Sequence, residues 1–183
     1  MSAAVETQRQ TLPAGTWNLD PVHSQVGFAV DYIIGTFRGS FSPVEARLEV
    51  GEDGEASLTG SAPVTGVKVQ DENLSAHLQS PEFFDAERTP QITFASTRID
   101  RSGDEVTIDG DLTIRGTTLP AKAKGRLSEP ADDPYGGVRF GLQLEAAVDR
   151  TKYGLNWNNP LPNGKPALGN AVTLTADLVL VKA

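Results

Sequence analysis

Residues 106–127, VTIDGDLTIRGTTLPAKAKGRL, decide the fold. Val106, Ile108, Gly110, Leu112 and Ile114 keep one face for nine residues, with Thr107, Asp109, Asp111 and Thr113 opposite. Arg115-Gly116 ends this run. Leu119, Ala121, Ala123, Gly125 and Leu127 then resume the period, with Lys122, Lys124 and Arg126 on the other side. A period of two is the signature of a strand with one buried face.

The same period recurs on both sides. Val26, Phe28 and Val30 alternate with Gln25, Gly27 and Ala29, and Val44, Ala46, Leu48 and Val50 with Glu45, Arg47 and Glu49. Asp53-Gly54 supplies a hairpin turn, and Leu58, Gly60, Ala62 and Val64 form the return, with Pro63 at its end or edge. Phe37 and Phe41 lie in GTFRGSF, where Gly35 and Gly39 predict bends or bulges. Ile92, Phe94 and Ser96 alternate until the phase changes near Arg98 and Ile99. Val138, Phe140, Leu142, Leu144 and Ala146 make a strong strand, and Val172, Leu174, Ala176, Leu178 and Leu180 the last. About eight long strands with mostly short turns predict an all-β, antiparallel barrel or sandwich.

The inward face mixes bulky with small residues: Gly60, Ala62, Gly110, Ala121, Ala123, Gly125, Ala146 and Ala176. A barrel of this strand number can hold one small ligand in such a gap. The small residues could equally offset the phenylalanines in a solid core, and the pattern leaves both readings open.

The interruption is residues 73–96, NLSAHLQSPEFFDAERTPQITFAS. A short helical insertion is expected at about 70–85. Asp71 can cap a helix that holds Leu74 and Leu78 on one side. Ser80-Pro81-Glu82 reads as a further helix start, presenting Phe83 and Phe84 as a core plug or a pocket mouth. Trp157 and Tyr153, beside the loop NWNNPLPNGKPALGN, face the same choice.

Composition narrows the function. A chain of 183 residues, 38% hydrophobic, is expected to form one domain, at 15–183. A net charge of -8 argues against nucleic acid and against an anionic membrane surface, both of which need a basic patch. With no cysteine there is no disulfide framework or thiolate chemistry. Residues 1–14 lack the basic start and apolar core of a secretory signal and read as a disordered polar leader. No apolar run reaches the roughly 20 residues of a spanning helix. The expectation is a cytoplasmic protein without a membrane span.

Candidate chemistry is sparse. The two histidines are His23 and His77. Asp20-x-x-His23-Ser24 resembles a metal or acid/base fragment, but it also suits a turn held by Asp20 and Ser24. His23 and Ser24 are neighbours on a strand and point to opposite faces, and no nucleophile elbow is present. His77 suits a packing or capping role beside Leu74 and Leu78. Gly35-x-x-x-Gly39 and Gly51-x-x-Gly54 lack what a phosphate cradle requires. Asp132-Asp133-Pro134 reads as a polar turn rather than a calcium site. No catalytic residue, metal or obligatory cofactor is predicted.

Six fragments in order carry a family resemblance: WNLDPVHSQVGFAV from Trp17, RGSF at Arg38, HLQSPEFFD at His77, PQITFAS at Pro90, GDLTIRGTT at Gly110 and RTKYGLNW at Arg150. Together they resemble the YceI-like family of lipocalin-like, polyisoprenoid-binding proteins. The resemblance implies an extended antiparallel β-barrel with an apolar tunnel. It implies non-catalytic binding, storage or transport of a long-chain lipid: a polyisoprenoid, an isoprenoid quinone or a fatty-acyl chain. It also implies a homodimer. The positions it offers as ligand contacts are His23, Ser24, Phe28, Val30, Phe37, Phe84, Phe94, Leu112, Ile114, Phe140, Leu142, Tyr153 and Trp157. The chain departs from the family pattern at Tyr32, Ser75-Ala76, Gln79 and Tyr153, which bears on the ligand head group more than on the fold. The alternatives are a stress-response or interaction module with a filled pocket, and a metal- or His-dependent enzyme using Asp20 and His23.

Overall fold

In the computed structural model, which describes residues 12–183, the alternating runs become twelve strands. Most of the expected leader lies outside the described residues. Strands β1 (Gly15–Leu19) and β2 (Gln25–Tyr32) are halves of one long strand interrupted at residues 20–24. Strands β3 (Gly35–Phe41) and β4 (Glu45–Val50) are halves of the next, interrupted at 42–44. β1 pairs with β4 and β2 with β3, all antiparallel. There follow β5 (Ala56–Pro63), the two-residue β6 (Val67–Lys68) and β7 (Gln91–Ser102). Next come β8 (Glu105–Ile114), β9 (Thr117–Leu127) and the two-residue β10 (Ala131–Asp132). The last are β11 (Val138–Asp149) and β12 (Leu168–Lys182).

Eight of these close a ring: β1, β4, β5, β7, β8, β9, β11 and β12. The fifteen-residue β12 makes the closure. Its far end pairs with β1, Leu19 opposite Leu180, and its near end with β2, Val30 opposite Val172. Near mid-barrel β6 extends the β2–β3 wall by pairing with β3, Phe41 opposite Val67. The fold is therefore a closed antiparallel barrel, which leaves few unpaired edges.

Residues 106–127 form a hairpin, with β8 and β9 in register from Glu105↔Arg126 to Ile114↔Thr117. Its two-residue loop, Arg115-Gly116, has positive φ at both positions (50° and 74°), the backbone a type I′ turn requires. The phase change near Arg98 is a bulge: Ser96 pairs with Gly110 and Arg98 with Asp109, so Thr97 is the extra residue.

Among the described residues there is a single α-helix, α1 (Glu72–Gln79). Asp71 caps it by accepting a hydrogen bond from the Leu74 N–H at 3.0 Å. The expected start at Ser80 opens one turn rather than a second helix: the Glu82 N–H donates to Ser80 Oγ at 3.3 Å and the Phe83 N–H to the Ser80 carbonyl at 3.0 Å. Ser80 also ends α1, its N–H and Oγ both donating to the His77 carbonyl (3.1 and 2.6 Å). Pro81 favours the extended conformation of Ser80 (ψ 167°), which suits both the end of one helix and the cap of the next turn. The bends expected at Gly35 and Gly39 are also absent, because β2 and β3 stay in unbroken register from Val26↔Phe41 to Tyr32↔Gly35. Gly39 is there because the Phe28 ring lies across it, and a β-carbon would overlap that ring.

Two clusters divide the interior along the barrel axis. One end is solid. Trp17, Leu48, Leu58, Ile108, Phe140, Leu142 and Leu180 pack there, with Leu12 against them from the chain start. The Trp17 and Phe140 rings meet edge-to-face at 4.9 Å, and the indole N–H donates to the Pro13 carbonyl at 3.1 Å. The other cluster, built around Val30, Phe41, Leu78, Phe83, Ile114 and Leu168, lies at the end covered by α1 and the 154–167 loop.

Candidate ligand cavity

The second half of the barrel encloses a cavity of about 440 Å³, within the usual range of small-molecule sites. Its walls follow from the alternation. Small inward residues at mid-barrel make the space: Ala46, Gly60, Ala121, Ala123, Ala146 and Ala176 all line it. Of the small inward positions, Gly110 and Gly125 are used otherwise. The Phe94 ring covers Gly110, and at Gly125 a β-carbon would meet the Gln143 carbonyl of the neighbouring strand.

Aromatic side chains supply the rest of the lining. The Phe28 ring centroid lies 5.8 Å from both Phe37 and Phe41, and Phe41 meets Phe84 at 5.9 Å. Phe83 and Phe84 come from the turn after α1, which is folded back by Phe83 N–H on the Ser80 carbonyl and Phe84 N–H on the Leu78 carbonyl (both 3.0 Å). His77 sits edge-on to Phe83 (5.0 Å) and to Trp157 (5.1 Å), and its Nε2 lies 2.5 Å from Glu82 Oε2. Tyr32, on the lining and 43% exposed, carries the wall out to solvent.

Arg150 is the buried cation on the cavity wall. It lines the cavity, only 6% exposed, and among the described residues no carboxylate forms a salt bridge with it. Its guanidinium donates instead to four carbonyls: Leu155 (2.6 Å), Gly169 (2.7 Å), Trp157 (2.9 Å) and Leu168 (3.4 Å). It thereby ties the 154–157 segment to the start of β12. Burial lowers its pKa, opposed by the charge of Asp149. Burial likewise raises that of Tyr153. The preceding turn is capped by Asp149, whose carboxylate accepts from the Thr151 hydroxyl and N–H (2.6 and 2.9 Å) and is held below the ordinary range by them.

Of the positions offered by the resemblance, Phe28, Val30, Phe37, Phe84, Phe94, Leu112, Ile114 and Trp157 are brought together on the cavity wall. Five lie elsewhere. Phe140 and Leu142 point inward but belong to the solid end, since alternation fixes the face of a residue and not its depth along the barrel. Tyr153 is buried in the cluster around the cavity, behind its lining. Ser24 is at the interruption between β1 and β2, its Oγ accepting from the Val179 N–H at 2.9 Å. His23 is there too, with its side chain 64% exposed and Nδ1 2.7 Å from Asp20 Oδ2.

Asp20 belongs to a surface ion network. Arg139 donates to Asp20 Oδ2 (3.0 Å) and to Asp133 Oδ2 (2.7 Å). The hydrogen bond from His23 is the main cause that holds the Asp20 carboxyl below its ordinary pKa. Among the described residues, no group of three or more His, Asp or Glu stands where it could hold a metal ion. No helix among them is long and apolar enough to cross a membrane.

Phe83, expected at a core plug or pocket mouth, is on the wall, whereas the sequence reading did not point to His77, Leu74 or Arg150 as wall residues. A 3.6-residue period placed Leu74, His77 and Leu78 on one side of α1, and that signal could have carried the first two. Arg150 opens the RTKYGLNW fragment, but no spacing shows that its guanidinium gathers the carbonyls of Leu155, Trp157, Leu168 and Gly169.

Comparison with known proteins agrees with this architecture. The model of the YceI-like domain matches residues 17–180. The chain belongs to that family. Protein YceI of Escherichia coli O157:H7 is 30% identical over 129 residues, 69% of this chain and 68% of that one. BcnA of Burkholderia cenocepacia superposes with a TM-score of 0.74 at 18% identity, covering 88% of this chain and 98% of that one. A polyisoprenoid binding domain from Saccharophagus degradans superposes with a TM-score of 0.64 at 12% identity, covering 91% and 98%. At these identities the two structures speak for the fold.

Proposed function

We propose that the protein is a non-catalytic carrier that holds the apolar chain of a lipid in the barrel cavity. The observation that carries this is the cavity itself, about 440 Å³ between alanine-lined strands and a phenylalanine cluster, closed at one end by a solid core. Its family and the polyisoprenoid-binding domain among its structural neighbours favour an isoprenoid tail, with a quinone tail or a fatty-acyl chain as the related occupants.

The energetics suit such a ligand. Each methylene moved from water to the cavity contributes about 0.8 kcal/mol, so roughly ten supply about 8 kcal/mol against the costs of association. No covalent step is needed. The polar groups on the lining, chiefly His77, Tyr32 and Arg150, serve to orient a head group. A homodimer and a cytoplasmic location belong to the same reading, to be tested by sedimentation and by cell fractionation.

Mass spectrometry of an organic extract of the protein purified from its own host tests the proposal. A stoichiometric isoprenoid or acyl lipid is expected. An extract free of lipid, from protein that also fails to take up an added polyprenyl quinone, overturns it.

A further inference from the structure

At the cavity end, β2 turns into β3 through two residues, Ile33 and Ile34, because pairing continues to Tyr32 opposite Gly35. Ile33 has φ 55°, while Ile34 is not among the residues with positive φ. A two-residue hairpin loop with positive φ at its first position normally carries glycine there. A β-branched residue in that conformation is a genuine outlier, and local rules broken in this way mark functional sites. The strained turn displays apolar surface: Ile34 is fully exposed and Ile33 is 53% exposed. No charge occurs from Tyr32 through Phe37 (YIIGTF), in a chain of net charge -8. Two observations join this tip to the cavity. Tyr32 is both half-exposed at the tip and part of the cavity lining. The Ile33 N–H donates to the Ala167 carbonyl at 2.8 Å, fixing the tip against the 154–167 loop that contributes Trp157 to the wall.

We propose that the Tyr32-Ile33-Ile34 tip docks the protein on a lipid bilayer, entering the boundary between head groups and acyl chains. The exposed end of the cavity wall then faces the phase that supplies its ligand. This rests on the lipid-carrier reading. A bilayer suits the tip better than a protein partner, since three side chains on a tight turn fall far short of the roughly 1,000 Å² that a specific protein interface buries. With a net charge of -8 the contact must be apolar rather than electrostatic. It therefore persists on zwitterionic membranes and in salt.

The test is flotation of the full chain with phosphatidylcholine vesicles, for the native protein, Ile34→Ser and Ile33→Gly. The native protein is expected to float with the vesicles at low and high salt. Ile34→Ser is expected to lower the partition coefficient roughly tenfold, the effect of withholding one isoleucine from an apolar phase. Ile33→Gly is expected to raise the thermal midpoint, by relieving the positive φ, and yet to weaken flotation, a combination that poor folding cannot produce. Neither isoleucine is on the cavity lining, so the lipid loaded from detergent stays the same while the rate of loading from vesicles falls. Absence of native binding, or equal binding by Ile34→Ser, overturns the proposal. So does a self-association that Ile34→Ser abolishes without native flotation. If tip-dependent flotation is found but no lipid is ever bound, the docking stands and the carrier reading falls. Lipid bound without flotation gives the reverse.

Discussion

The ring of Phe94 on β7 lies across the backbone of Gly110 on β8, one step along the ladder from its direct partner Leu112. This diagonal seat puts a large ring on the cavity side without crowding the strands. Gly110→Ala sets a methyl against the ring and, at 2.6 Å, against the Ala95 carbonyl, so both the Phe94 side chain and the β7 backbone must shift. Overpacking of this kind costs about 1–3 kcal/mol, read as a lower urea midpoint. Reducing the ring in Gly110→Ala/Phe94→Leu is expected to recover part of the loss, since the contact with the Ala95 carbonyl remains. Simple addition of the two single effects would show that the ring and the glycine are not coupled.

Ala123 lies where the cavity meets the solid core, lining the former and packing against the latter. Ala123→Phe therefore fills the floor of the cavity. Uptake of an added polyprenyl quinone, followed by fluorescence quenching, is expected to be abolished, while the circular dichroism spectrum remains that of a β-barrel. Undiminished uptake would mean that the ligand occupies another surface.

The barrel was legible because burial imposes a period of two on every strand, and even the Thr97 bulge showed as a slip of phase near Arg98. The spare volume was legible as small inward residues. Its extent was not. Phe140 and Phe94 share the same inward alternation, but only the three-dimensional stagger of the strands puts Phe140 beside Trp17 and Phe94 on the cavity. Ser80-Pro81-Glu82 was legible as a capped start, but only one turn follows it, because the Phe84 N–H folds back to the Leu78 carbonyl and the Asp85 N–H to that of Ser80. His23 and Asp20 share a turn, which spacing alone could suggest. Their connection to Arg139, 119 positions along the chain, could not be read from it.

Arg150 holds four carbonyls of the 155–157 segment and the start of β12. Arg150→Met keeps the length and apolar stem but strands those carbonyls away from water. Leaving buried polar groups unpaired costs on the order of 3 kcal/mol. The loss is expected to be local, so hydrogen exchange should accelerate at 154–169 before it does in β8 and β9. Uniform acceleration across the barrel would show that Arg150 supports the global fold rather than this loop.

The acid limb of stability should run through Asp133 and Asp20, with Asp149, held low by Thr151, as the third contributor. The Asp133 carboxylate accepts from the Gly137 and Tyr135 N–H groups (both 2.8 Å) and from Arg139 Nε and Nη2 (3.0 and 2.7 Å). The Gly137 N–H first, then Arg139, holds its pKa below the ordinary value, as His23 chiefly does for Asp20. A carboxylate with a lower pKa folded than unfolded binds fewer protons in the folded state. Its contribution is therefore full above the unfolded value of about 4 and is lost as pH falls through the folded one. Urea midpoints measured across this range are expected to hold steady from neutrality and to drop below about pH 4. Asp133→Asn should be less stable than the native protein at neutral pH and should show a shallower drop, because the titrating group is gone. An acid limb as steep as the native one would place the responsible carboxylates elsewhere in the barrel.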